Sequence, residues 1–284
     1  MNKTKILITG SCGLIGKELL IQLKENKNYK IKEADLKYGN DLRNFNECLK
    51  LTKGIDEVYS LVGIKGNPKM TNEKPIDFMG NMLQFDTNMI MAAQMNGVKK
   101  FLYTSSIAVE NPETDKYPAW AKKTAEILIE AMRIQYPNGT KYCIVRPANV
   151  YGRFDDFDKE NLMVISDLIR KALKSNVLEI WGDGTQIRDF INAKDVACGM
   201  IKCMQKMPKV PINLCSGIGV TIKQVVEAIR EHINKDIEIK YNMINQGAKS
   251  RLMQPNGQIV GFKPEIDLNS GIKEVIECQK NLKH

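Results

Sequence analysis

The segment KILITGSCGLIG, Lys5 to Gly16, decides the fold. A strand-like run ends at Thr9 and opens into three glycines, Gly10, Gly13 and Gly16, which lead straight into the amphipathic stretch GKELLIQLKEN. Gly10 allows a tight turn, Gly13 lets backbone N–H groups approach a pyrophosphate, and Gly16 lets helix and strand pack closely. The positive end of the helix falls on the same anion, with Cys12, Leu14 and Ile15 completing the turn around it. Asp35 ends the second strand about twenty residues later, where a carboxylate accepts both hydroxyls of a ribose. That carboxylate repels a 2′-phosphate, and neither Ser11 nor Cys12 offers a cation to hold one. NAD is therefore expected rather than NADP, with Lys37 as the one opposing charge nearby. Asp41 and Leu42 follow at the place expected for the adenine.

Outward from this turn, strand-length apolar runs alternate with helical patterns. Lys30 to Ala34, Val58 to Val62, Phe101 to Thr104 and Tyr142 to Val145 read as strands. Between them Arg43 to Leu51, Phe78 to Met95 and Ala119 to Ile134 read as helices. This predicts an α/β Rossmann fold, a doubly wound parallel sheet with helices on both faces. After Pro147 the character changes. A helix near Leu162 to Lys174 and short strands from Val177 to Ile191, punctuated by Gly182 and Gly184, predict a smaller C-terminal substrate lobe. Ala193 to Met204 and Pro211 to Leu214 read as a helix and strand that return to the sheet. The expected division is a cofactor domain over 1–148 with 193–214, and a substrate lobe over 149–192 and 215–284.

Composition excludes several classes. The formal charge is +9, but the lysines are interleaved with acids along the whole chain, with no basic run punctuated by stacking aromatics. No nucleic-acid partner is expected. With only His232 and His284, a histidine metal site or a Ser-His-Asp triad lacks raw material. Seven scattered cysteines without a CxxC pair fit reduced core thiols in a cytoplasmic protein. No uncharged apolar run reaches eighteen residues, so no membrane partner is expected.

In their order, these landmarks and those that follow resemble the NAD-dependent epimerase/dehydratase family, the nucleotide-sugar branch of the extended short-chain dehydrogenases/reductases. The further landmarks are SLVG at Ser60 to Gly63, placing Leu61, Val62 and Gly63 beside the cofactor, then Asn81 and Asn88, and Ser105-Ser106. After them come Lys122 in AKKTAE, VRPANVYG with Pro147 and Asn149, WGDGTQIRDFI with Arg188, Arg251, and GFKPE ending at Glu265. The section from Asn81 to Ser106, with NVYG and FDKEN, looks most like GDP-sugar members of the GDP-fucose synthase type. The resemblance implies that Ser106 binds the reacting sugar oxygen and that Lys122 binds the nicotinamide ribose and lowers the pKa of a phenol. It implies a hydride exchanged between one sugar carbon and NAD. Arg188 and Arg251 match diphosphate-binding arginines, a task that suits a planar guanidinium, and Asn149 and Asn161 are donors to the sugar or diphosphate.

The sequence departs from the family where the phenol should be. In the YxxxK register set by Lys122, Pro118 occupies the tyrosine position, and Tyr117 stands one residue early. One residue of helix is a rotation of about 100°. A helix starting at Pro118 leaves Tyr117 in a cap position. Either Tyr117 is a displaced acid/base, or Ser106 with water serves instead. The loop from Ser106 to Tyr117 is short, which implies a more open site. Ile107 stands where dehydratases carry an acid and epimerising reductases a cysteine, so dehydration and 3,5-epimerisation are disfavoured and chemistry at one carbon, C4, remains. Gln254 replaces an aspartate downstream of Arg251.

Two functional readings follow: an NAD-dependent nucleotide-sugar epimerase or oxidoreductase, or a non-catalytic sensor or complex subunit that keeps the ligands without the proton-transfer group. The family habit implies a homodimer built on a four-helix interface from Pro75 to Asn96 and Pro118 to Tyr136. Met79, Met82, Met89, Met91 and Met95 fit either such a surface or an ordinary core helix. Trp181 reads as a buried core residue or a base-packing one.

Overall fold

The computed structural model describes residues 3–64, 66, 68–158, 162–233, 235–243 and 252–281. The first half alternates strand and helix: β1 (Thr4–Thr9), α1 (Leu14–Lys24), β2 (Tyr29–Ala34), α2 (Phe45–Thr52) and β3 (Glu57–Ser60). Then come α3 (Pro68–Glu73), α4 (Pro75–Met95), β4 (Lys100–Thr104), α5 (Lys116–Gln135) and β5 (Lys141–Pro147). In the second half β6 (Asn149–Tyr151), α6 (Val164–Lys174), β7 (Val177–Trp181) and β8 (Ile187–Asn192) precede α7 (Ala193–Lys206) and β9 (Ile212–Leu214). The chain continues through β10 (Gly219–Thr221), α8 (Ile222–His232), β11 (Glu238–Asn242) and α9 (Leu268–Asn281).

Six strands form one parallel sheet in the order β2-β1-β3-β4-β5-β9. The expected doubly wound α/β fold is what the chain adopts. Its central strands are apolar without alternation, because both faces are covered: Ile6, Leu7 and Ile8 have no exposed surface, nor do Phe101, Leu102 and Tyr103. On one face α1 and α7 contribute Leu19, Leu23, Val196, Met200 and Cys203. On the other, α2, α4 and α5 contribute Leu51, Met82, Phe85, Ile90, Ala125 and Ile129. The chain leaves β1 toward β2 on one side and returns to β3 on the other. The crevice at that reversal, beyond the C-terminal strand ends, is where such sheets take ligands.

A smaller set of strands lies beyond β5. β8 pairs parallel with β6 and antiparallel with β10, and β7 pairs parallel with β11. Ile165, Ile169, Val225, Ile229, Ile272 and Val275 of α6, α8 and α9 share a third core with them. Gly182 and Gly184 at the β7–β8 turn both have positive φ, 70° and 75°, the conformation that favours glycine there. Residues 149–151, 222–232 and 268–281, which the hydrophobic pattern leaves without an assignment, form β6, α8 and α9. Trp181 is 44% exposed, so its ring is not a core element. All seven cysteines are free thiols. Among the described residues no helix is long and apolar enough to cross a membrane.

Candidate active site

The glycine turn is built as its spacing demands. Gly10 has φ +70°, and its N–H donates to Ala34 O at 2.8 Å, while Gly13 N–H closes the turn on Gly10 O at 3.1 Å. A Cβ on Gly16 would stand 2.3 Å from Gly10 O and 2.9 Å from the Ser11 backbone, so only glycine lets α1 approach β1 this closely. Gly13 caps α1 without a side-chain hydrogen bond, and the helix has no acid in its first turn. The amides of Leu14, Ile15 and Gly16 are thus left for an anion, which fits a dinucleotide pyrophosphate. Leu14 is buried beneath the turn, and Ile15 packs against the core.

Asp35 follows β2 and faces the turn. Its Oδ1 accepts the Lys37 N–H at 2.9 Å and its Oδ2 the Cys12 N–H at 3.1 Å. Each carboxylate oxygen keeps a second lone pair, which suits a ribose diol. The Cys12 amide therefore fixes Asp35. The Tyr38 phenol is pushed up by its hydrogen bond to Cys12. Lys37 reaches Asp156 at 3.9 Å. Asp41 is gripped by the Arg43 guanidinium, with contacts of 2.7 to 3.1 Å that hold its carboxyl below the usual range. The Leu42 carbonyl accepts Asn88 Nδ2 at 3.0 Å.

Beyond β3, Leu61 N–H continues toward β1, donating to Thr9 O at 3.2 Å, and Gly63 is exposed. Val62 O accepts the Lys122 ammonium at 3.3 Å. Lys122 is 6% exposed and makes its closest charged contact, 3.1 Å, with Oδ2 of Asp86 on α4. Tyr103 of β4 donates its hydroxyl to the same oxygen at 2.7 Å, and its ring lies 4.8 Å from the ammonium. Burial pushes the Asp86 carboxyl up, opposed by Lys122 and Tyr103, and burial also pushes the Tyr103 phenol up. Neither Asp86 nor Tyr103 is apparent as a site residue from motif spacing. A signal was present: Asp86 lies four residues after Met82 and three before Met89, a carboxylate set into an apolar stripe.

Ser106 caps a single 3₁₀ turn at Ile107–Glu110, its Oγ accepting the Ala108 N–H at 3.1 Å, so its own O–H remains to donate. Ser105 instead donates to buried Glu126 at 2.6 Å. The helix bearing Lys122 starts at Lys116, not Pro118, with Ala119 N–H bonded to Asp115 O at 3.0 Å. Pro118 is accommodated because a first-turn residue needs no N–H. Tyr117 is thus helical and half-buried. Five residues ahead of Lys122, it sits about 140° from that residue around the axis, against about 40° for a residue four ahead.

Pro147 ends β5 buried and opposite Leu214. Asn149 on β6 donates to Asp189 O at 2.8 Å. Arg188 on β8 is half-buried, with Nη1 on Ile187 O at 2.7 Å. Asn161 and Arg251 lie outside the described residues. Among those described, no group of three or more His, Cys, Asp or Glu side chains could hold a metal ion.

The chain is similar to known proteins over nearly its whole length. A putative GDP-L-fucose synthase 2 of Arabidopsis thaliana is 27% identical, over 96% of this chain and 90% of its own length. A GDP-L-colitose synthase of Yersinia pseudotuberculosis is also 27% identical, over 99% of both. The crystal structure of a GDP-6-OMe-4-keto-L-xylo-heptose reductase from C. jejuni superposes with a TM-score of 0.88, at 23% identity over 99% of each chain. Residues 6–215 match the NAD dependent epimerase/dehydratase family, whose cofactor the glycine turn and Asp35 fit, and the chain belongs to that family.

Proposed function

We propose that this protein is an NAD-dependent nucleotide-sugar epimerase or oxidoreductase that exchanges a hydride at one sugar carbon, C4, in an atypical active site. The observation that carries the reading is Lys122: a buried ammonium anchored on Val62 O, on the element that follows β3, at the end of the sheet where the glycine turn opens. Asp86 offsets the cost of desolvating this ammonium, and the ammonium's place at the ligand end of the sheet is what supports a ligand-binding role. Residues 1–148 with 193–214 hold NAD in this reading, and 149–192 with 215–284 hold the nucleotide sugar. Arg188, Arg251, Asn149 and Asn161 are the residues assigned to the diphosphate and sugar in this reading. GDP-sugars head the list of substrates to try, because the relatives named above carry GDP in their names.

Bound NAD supplies the hydride acceptor. Ser106, its hydroxyl proton uncommitted, donates to the sugar oxygen. Proton exchange falls to Ser106 with water, because the helix that starts at Lys116 turns Tyr117 away from the Lys122 side. The same register favours a second reading, a sensor that binds both ligands without turnover. Titrating the NAD-loaded protein with GDP-, UDP-, CDP- and dTDP-sugars tests both. Growth of the reduced-nicotinamide absorbance band, or conversion of one sugar to its epimer, supports the enzyme. Saturable binding with neither leaves the sensor.

The family habit of pairing through helices supports a homodimer on α4 and α5. Met82 and Met89 are core residues of α4, but Ile76, Met91 and Met95 are exposed, as are Trp120, Ile127 and Ile134 on α5. Sedimentation showing a monomer at high concentration would contradict this.

A further inference from the structure

We propose that Asp86, held by the Tyr103 hydroxyl, is the positioning residue of Lys122, aiming one ammonium proton at the nicotinamide-side ribose. This rests on the cofactor reading above. An ammonium has three N–H donors and no acceptor. In the structure the Asp86 carboxylate takes one, with Oδ2 at 3.1 Å and Oδ1 at 3.5 Å sharing it, and Val62 O takes another at 3.3 Å, so one donor is left over. The direction of that donor is not free. The Nζ is confined on its aromatic sides by the Tyr103 ring at 4.8 Å and the Phe85 ring at 5.9 Å. Asp86 is itself fixed, because its Oδ2 also accepts the Tyr103 O–H at 2.7 Å. One carboxylate thus joins β4, α4 and α5 at the point where Lys122 meets the loop after β3. Together the ammonium and carboxylate carry no net charge, while the Lys122 N–H groups remain charge-assisted donors.

The test compares two ligands. NAD reaches past the pyrophosphate to the second ribose, whereas ADP ends at the glycine turn and Asp35. Calorimetric affinities for both are measured on the wild type and on Lys122→Met, Asp86→Asn and the double variant. Removing a charge-assisted hydrogen bond weakens NAD binding about tenfold. The expected result is that loss for NAD with ADP affinity unchanged, and a double variant no weaker than Lys122→Met alone, because Asp86 acts only through Lys122. Asp86→Asn strands a buried ammonium, and the variant can fail to fold for that reason. Lys122→Met in turn leaves the buried Asp86 carboxylate without its partner, so the comparison of the wild type with the double variant, in which no lone charge is buried, then decides, NAD against ADP. An equal loss for NAD and ADP would show a general structural role and overturn the proposal. So would NAD affinity unchanged in every variant, or a double variant clearly weaker than Lys122→Met. A wild type that binds ADP but not NAD would overturn the cofactor reading itself, a result visible before any variant is made.

Discussion

Glu126 and Arg146 are joined by two hydrogen bonds, Nε to Oε1 at 2.8 Å and Nη2 to Oε2 at 2.5 Å, and Ser105 Oγ shares the same carboxylate. Glu126 lies one helical turn beyond Lys122, so this contact ties the loop of Ser106 to the helix of Lys122. The Glu126→Gln substitution keeps the shape but sets an amide donor against a guanidinium. Breaking a buried pair on one side is destabilising by about 3 kcal/mol or more. Urea denaturation should show that loss, and a change below about 1 kcal/mol would mean that Glu110, 3.5 Å from Arg146, suffices alone.

The glycines of the turn should differ in tolerance. A Cβ on Gly13 meets only Gly10 O, at 3.2 Å, while one on Gly16 would overlap backbone at 2.3 Å. Gly16→Ala is expected to abolish NAD binding and lower the melting temperature, since backbone must shift at a price of about 1–3 kcal/mol. Gly13→Ala should melt close to the wild type but bind NAD more weakly, because its Cβ displaces little protein and stands where the pyrophosphate approaches. Equal effects of the two would contradict the assignment of Gly16 as the packing glycine.

Turnover separates the two candidates for proton transfer. Ser106→Ala should lower kcat about a hundredfold or more, the usual range for a lost acid or base. Tyr117→Phe should stay within about threefold of the wild type. A Tyr117→Phe variant as inactive as Ser106→Ala would show that the phenol reaches the substrate despite its place on the helix.

Acid stability has an identifiable contributor at the opposite end of the sheet. Asp56 accepts the Lys5 N–H at 2.8 Å and the Lys99 ammonium at 2.9 Å, which hold its carboxyl below the ordinary 3.8. A depressed acid stabilises the fold fully above its unfolded value, and that contribution disappears as pH falls through the folded one. Asp56→Asn should therefore melt below the wild type at about pH 6, with the gap narrowing as pH falls below about 4. A gap that stays constant across that range would locate the effect in shape rather than charge.

The proposed homodimer can be probed through Ile127, which is 52% exposed on α5. Placing a charge in an apolar interface is strongly unfavourable, so Ile127→Arg should sediment as a monomer with its melting temperature nearly unchanged. A variant that sediments like the wild type would move the interface elsewhere.

The sheet was legible because its signals are local. Gly10, Gly13 and Gly16 lie within seven residues, and buried strands such as Ile6 to Ile8 announce themselves as apolar runs. The contacts that define the site are not local. Asp86 meets Lys122 across 36 residues, and Arg146 meets Glu126 across 20. No spacing rule links them, since α4, β4, α5 and β5 bring them together only once the sheet has formed. The start of α5 is not legible for a related reason. Pro118 marks a first turn but not which residue of it, and the bond from Ala119 N–H to Asp115 O sets the helix two residues earlier. β6, β10 and β11, of three to five residues each, are too short and too polar to show a period.

Ile6 and Ile8 share their core cluster with Ile212, Leu214, Met253, Val260 and Phe262. A nascent chain on the ribosome therefore cannot seal this layer when its fifth strand emerges. That layer stays incomplete until translation has passed residue 262, leaving the growing polypeptide exposed to chaperones and proteases for most of its synthesis.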